Sequence, residues 1–226
     1  MKPNLTVERE QLVHTAQFSR PVLELWGEGK KIVSGLYNAF SPFGVSLADI
    51  RAEGSNPAEQ VITVNISSGG VHRFRFDRLE TAFLQFSQET FERIPLILDA
   101  SLRWIRDYVP EAQVGSHQFV HTSHCQVAGD GSVESILQRI GPSAPKSGGT
   151  RKGSGTIFHW DVPEREWQTQ LVVDRSLAVS NGLFLMFTLT IGHDKINFVE
   201  LSGSAREYLF GILNEIGLMY DFFPLK

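Results

Sequence analysis

Two short runs of strictly alternating residues constrain the fold more than any other feature of the chain. Ile62, Val64 and Ile66 alternate with Thr63, Asn65 and Ser67. Beyond Ser68-Gly69-Gly70 the alternation resumes, His72, Phe74 and Phe76 against Arg73, Arg75 and Asp77. A period of two describes strands with one buried and one wet face. A two-residue loop at Gly69-Gly70 pairs Ile66 with Arg73 and puts an arginine on the apolar face. An odd-numbered loop pairs Ile66 with Phe74 and Val64 with Phe76 and keeps the faces consistent, so a turn of three or five residues is expected. Such a sheet needs cover on its apolar side, and a long amphipathic stripe supplies it. Phe91, Ile94, Leu98, Leu102, Ile105 and Val109 recur at helical steps of three and four. Ser87 precedes this helix and Pro110 ends it, while Pro95 must lie in the first turn or make a kink, because proline cannot donate to a helical ladder.

The rest of the chain reads in the same terms. Leu12 to Trp26 holds two apolar runs split by Pro21, one or two strands. Gly29 to Phe40 is a helix stopped by Pro42 and Gly44, Val45 to Ala52 a strand, and Thr81 to Phe86 another. Val114 to Val127 reads as a strand, Asp130 to Ile140 as a short helix, and residues 141–155, rich in Gly, Pro and Ser, as a mobile loop. Four strands are expected next, Thr156–Val162, Trp167–Asp174, Leu183–Ile191 and Lys195–Leu201. Ser204 with Glu207 then matches a capping box for a last helix carrying Tyr208, Leu209, Ile212, Leu213, Ile216 and Tyr220 on one face.

These elements describe an α+β protein of antiparallel sheets with helices packed on one side. Both halves, residues 1–111 and 112–226, follow a duplicated β-α-β4-α order and are expected to form one compact unit. This plan resembles, in topology, the duplicated saddle of TATA-box-binding-protein-like folds. It also resembles the helix-grip folds, in which a sheet wraps a long helix around a ligand cavity. Neither resemblance implies a function, since one fold carries many.

Composition narrows the functional classes. With 42% hydrophobic and 20% charged residues, most of the chain is expected to be ordered. The net charge of −4 disfavours a surface that grips nucleic acid throughout, although a local basic patch is compatible with it. Cys125 is the only cysteine, so no internal disulfide forms. Residues 1–11 lack an apolar signal core and no run approaches the roughly 20 apolar residues of a membrane span. A cytoplasmic protein without membrane contact is expected.

Several residue groups invite chemical readings. His117, His121, His124 and Cys125 form the densest cluster of metal-ligand types. On a strand, however, His117, His121 and Cys125 point the same way but stand roughly 13 Å apart at each step of four. They are weak metal candidates, and a half-buried strand with exposed histidines is the simpler reading. Cys125 beside His124 invites an activated-thiol reading, but strand neighbours face opposite ways, which favours a buried structural thiol. Asp161, Glu164, Glu166 and Asp174 are explained by a solvated turn. Residues 147–155, with Arg151 and Lys152, match neither phosphate-binding fingerprint; a flexible loop, or one that orders over an anion, accounts for them. No Gly-x-Ser-x-Gly elbow occurs, no catalytic residue is assigned, and no cofactor is implied.

The strongest functional signal lies in the strand near residue 187. Leu183, Leu185, Phe187, Leu189 and Ile191 line one face while Phe184 and Met186 line the other. A strand apolar on both sides requires cover on both sides. A non-enzymatic interaction or regulatory module follows, acting through a groove or pocket with a protein partner or a second copy of itself. The alternative is a helix-grip binder or enzyme that uses His159, Asp161 or His193 at a cavity mouth. A second alternative is nucleic-acid binding through Arg73 and Arg75, joined by Arg51, and the Arg151-Lys152 loop.

Overall fold

The computed structural model describes residues 2–26, 29–56, 59–67, 69–128, 132–141 and 155–221. Among them are ten strands and four α-helices, an α+β fold. In chain order these are β1 (Asn4–Phe18), α1 (Gly29–Phe40), β2 (Ile50–Glu53), β3 (Val61–Ile66), β4 (Gly70–Phe74), β5 (Arg78–Leu84) and α2 (Gln88–Tyr108). There follow β6 (Val114–Val127), α3 (Val133–Ile140), β7 (Thr156–Val162), β8 (Trp167–Arg175), β9 (Gly182–Ile191), α4 (Phe198–Glu215) and β10 (Met219–Asp221). The chain packs as two compact units: an α1–α2 unit of Leu12–Phe119 with Thr190–Ser202, and an α3–α4 unit of Met1–Gln11, Val120–Leu189 and Gly203–Lys226. No described helix is long and apolar enough to cross a membrane.

In the α1–α2 unit the strands follow the order β2-β3-β4-β5-β1-β6. The β3–β4 hairpin has an odd turn, as the alternation demands. Ile66 pairs with Gly70, Val64 with His72 and Ile62 with Phe74, which leaves three residues between the strands. The expected partners Phe74 for Ile66 and Phe76 for Val64 are therefore corrected: the three-residue turn falls two residues earlier in the chain, an even shift that preserves the faces. Gly69 adopts φ 82°, a left-handed conformation that costs glycine little. Gly70 is needed for space, because a Cβ there would stand 2.5 Å from Cε1 of Phe83.

The inner face of this hairpin is covered by α1 and α2. Phe40 of α1 lies 4.9 Å from the His72 ring, and Trp104 of α2 meets Phe74 edge-on at 5.2 Å. Ser87 caps α2, its hydroxyl accepting from the Thr90 amide at 3.2 Å. Pro95 sits in the body of α2, past the first turn, and is buried. One missing donor is tolerable in a helix whose apolar stripe is held by packing. Two readings need correction. β1 begins at Asn4, well before Leu12, and Leu23–Trp26 forms a single 3-10 turn. The strand expected from Val45 starts only at Ile50, because Ser46 and Asp49 form a reciprocal capping box that turns the chain first.

In the α3–α4 unit the order is β1-β6-β9-β8-β7, and β10 joins β1 in parallel, Asn4 opposite Met219. Ser132 caps α3 by accepting from the Ser135 amide at 3.2 Å. The expected strand Lys195–Leu201 does not form. Asn197 Oδ1 instead accepts from the amides of Val199 and Glu200, at 3.2 and 3.3 Å, and starts α4 at Phe198. Ser204 and Glu207 consequently lie inside the helix. The buried residues Phe198, Leu201, Leu209, Ile212 and Leu213 follow helical spacing, which the short alternation of Val199 and Leu201 had masked. The order in the second half of the chain is thus strand, helix, three strands, helix and a short final strand.

Filling the space above Phe83 tests the hairpin. Gly70→Ala is expected to lower the free energy of unfolding by about 1–3 kcal/mol through overpacking, read as a shift of the urea midpoint.

Candidate functional site

The two faces of the α3–α4 sheet differ. On one face Trp167, Thr169, Leu171 and Val173 of β8 are buried, as are Leu183, Leu185, Phe187 and Leu189 of β9. Tyr208 of α4 covers this side: its ring lies 6.0 Å from Trp167 and 6.3 Å from Phe187, and its hydroxyl is 3.5 Å from Thr169 Oγ1. On the opposite face β7 and β8 pair Ile157 with Val172, His159 with Gln170 and Asp161 with Gln168. The burial alternation of β9 places Phe184 and Met186 on that face, and the Phe184 ring lies 5.1 Å from His124 of β6. Cover on both sides of β9 was expected, yet Phe184 and Met186 are only half-buried and Ile157 is 56% exposed.

This open face is built from strand register. Because paired residues share a side, the exposed His159, Asp161 and Gln168 and the half-buried Gln170 form a polar rim on the face that carries Ile157, Val172, Phe184 and Met186. The turn after β8 is fixed by Ser176, whose hydroxyl accepts from the amides of Ala178 and Val179 at 3.1 and 2.9 Å and bonds His124 Nδ1 at 2.8 Å. That turn carries Leu177, 98% exposed. Burial, followed by the Arg9 charge, holds His124 below its ordinary pKa.

Of the residues singled out by sequence, His159, Asp161, Phe184 and Met186 come together on this face. Arg73 and Arg75 belong to the α1–α2 unit. There Arg51, Thr63, Arg73 and Glu80 occupy successive positions across β2, β3, β4 and β5 on the wet face. Glu80 lies 3.9 Å from Arg75 and 2.9 Å from Arg78, and Asp77 is 2.7 Å from Arg78, so acids interleave with these arginines. His193 belongs to the same unit, beside Asp194, whose carbonyl accepts from Arg106 at 3.0 Å. Arg151 and Lys152 lie outside the described residues. Glu164 lies within a 3-10 turn, Pro163–Arg165, and Glu166 follows it; Arg165 of this turn stacks over Trp167 at 4.8 Å. Asp174 caps its neighbour, accepting from the Arg175 amide at 2.6 Å.

The histidines expected to be exposed are not: His117 and His121 are buried with Cys125 on one face of β6, and the three have different partners. His117 meets His14 at 3.0 Å, His121 meets Glu10 at 3.4 Å, and the Cys125 thiol donates to Ser123 Oγ at 3.6 Å. Among the described residues no group of three such side chains is arranged to hold a metal ion. Burial pushes the Cys125 thiol up to about 12, far from a reactive thiolate.

A second polar feature escaped the sequence reading. In the core of the α1–α2 unit, His72 of β4, Thr81 of β5, His14 of β1 and His117 of β6 lie on four adjacent strands, all buried. His72 Nδ1 bonds Thr81 Oγ1 at 2.7 Å and His14 Nε2 bonds His117 Nδ1 at 3.0 Å, within an aromatic wall of Phe119 and Phe198. The remaining ring nitrogens, Nδ1 of His14 and Nε2 of His72 and His117, have no partner among the described residues. Burial lowers His72 to about 3 and, with the Arg106 charge second, His117 to about 4. Burial first, then His117 and His72, lowers His14 well below its usual range. Only His72 left a signal, as a histidine in phase with Phe74; nothing in the sequence around His14 marks it as buried.

Compared with known proteins, the chain matches no family model and no curated relative.

The buried imidazoles predict acid lability. Unfolded histidines titrate near 6.5, whereas these three stay neutral in the fold, so below that pH the unfolded chain binds more protons. Their contribution is fully present above pH 6.5 and is lost as pH falls toward 4. His72 and His117 are each expected to remove about 2 kcal/mol between pH 7 and 5, read from urea unfolding, with His14 acting in the same direction. His72→Gln keeps a partner for Thr81 and should flatten the pH dependence by roughly one proton.

Proposed function

We propose that this chain is a non-enzymatic interaction module whose binding surface is the open face of β6, β7, β8 and β9, and that it assembles with a second copy of itself. The carrying observation is the apolar strip of Ile157, Val172, Phe184 and Met186 on the side of the sheet away from α4. An apolar centre bordered by His159, Asp161, Gln168 and Gln170 matches the layout of protein interfaces, whose core is depleted of charge and whose rim is polar. The interleaved acids around Arg73 and Arg75 support this reading over nucleic-acid binding, because they neutralise the cations that phosphates would need. One-sided cover of the sheet is compatible with the TATA-box-binding-protein-like and helix-grip plans. The helix-grip reading is less well supported, because its cavity lies between sheet and helix whereas His159 and Asp161 lie on the side of the sheet away from α4.

Phe184→Glu puts a charge at the centre of the strip. Because Phe184 is half-buried, the variant should stay folded with a stability loss of about 1 kcal/mol, while light scattering shows self-association weakened at least about tenfold. Unchanged association by the folded variant would contradict the proposal.

A further inference from the structure

Among the described residues the α3–α4 sheet ends at β7, and the backbone groups on its outer side can be identified. Thr169 Oγ1 donates to the Trp160 carbonyl at 3.4 Å, so Trp160 directs its backbone toward β8. The other side of β8 agrees: just past its end the Ser176 amide donates to Gly182 O at 2.8 Å, which assigns even positions there to β9 and odd positions, Thr169 included, to β7. In an antiparallel ladder, hydrogen-bonding direction alternates residue by residue. The amides and carbonyls of Ile157, His159 and Asp161 therefore point away from β8, along the edge. The edge at β2 is different, being four residues long with Arg51 and Glu53 exposed, two features that discourage strand addition. β7 spans seven residues and carries Ile157, Phe158, Trp160 and Val162 with a single formal charge, Asp161.

We infer that β7 is a self-pairing edge: it adds antiparallel to β7 of a second copy about a two-fold axis at His159. This inference rests on the reading of the α3–α4 unit as an interaction module and names how two copies join. Antiparallel partners must share hydrogen-bonding state, so only residues of like parity can face each other. The one register that pairs all of Thr156–Val162 is centred on His159. It sets Ile157 against Asp161 of the second copy, His159 against its equivalent, and Phe158 against Trp160. The three outward-facing residues then exchange roughly six backbone hydrogen bonds. No two formal like charges meet at neutral pH. Phe158 and Trp160, already stacked at 5.6 Å within one strand, gain a cross-strand aromatic partner each. The resulting continuous sheet brings the two open faces side by side.

The test is sedimentation equilibrium of the full chain up to ~100 µM, alongside three variants. His159→Pro removes one outward N–H that β7 does not use toward β8, and Ile157→Lys places a gatekeeping charge beside it. The wild-type chain is expected to dimerise, and both variants to raise the dissociation constant at least about tenfold with unchanged circular dichroism. If His159→Pro loses its fold, Asp161→Pro, which removes another outward N–H without touching the apolar strip to which Ile157 also belongs, decides in its place. A monomeric wild type overturns the inference. If Phe184→Glu dissociates the dimer while both edge variants leave it intact, edge pairing is overturned and the open-face reading stands. If neither the edge variants nor Phe184→Glu has any effect on the dimer, both are overturned.

Discussion

Side-chain alternation on the strands is the constraint from which the rest of this structure follows. In the α1–α2 unit it gathers Ile62, Val64, Phe74 and Leu79 onto one side, where α1 and α2 cover them. Each such side chain, fully buried, contributes about 1.5–3 kcal/mol, far more than the exposed ion pairs around Arg78 can. In the α3–α4 unit the same alternation produces a buried face beneath Tyr208 and a second face that is apolar but only half-buried. We propose that this second strip is buried in an interface.

The buried histidine row carries a cost of its own. Three imidazoles in an apolar core each leave one ring nitrogen without a partner among the described residues, and an unsatisfied buried polar group costs about 1–3 kcal/mol. Their mutual bonds, His14 to His117 and His72 to Thr81, tie β1 to β6 and β4 to β5. A row of this kind fixes strand register, since a one-residue slip would expose every member. It also makes the unit's stability depend on pH in a way that apolar residues at the same positions would not.

Much of the fold was legible in the sequence where one period dominated. Helix α1, strand β6 and the odd hairpin turn follow directly from spacing, because competing periods were absent. Legibility failed where two periods overlapped or where a side-chain cap decided the outcome. Val199 and Leu201 alternate like a strand, but Asn197 captures two amides and commits the segment to α4. Ser46 and Asp49 likewise divert a segment whose composition favoured a strand. Of the candidate site, Phe184 and Met186 were visible because β9 is apolar on both sides. The contribution of Val172, Gln168 and Gln170 was not, since only the β7–β8 register places them beside Ile157, His159 and Asp161.

The central claim is that two copies join through the β7 edge of the α3–α4 sheet, and residue-resolved hydrogen exchange across a concentration series tests it most directly. Amides that bond within a chain exchange independently of concentration, whereas those closed by a second copy slow as it forms. The account predicts that the amides of Ile157, His159 and Asp161 become progressively protected as concentration rises, while those of Arg51 and Glu53 at the other edge do not change. Concentration-independent exchange at all five positions would contradict it.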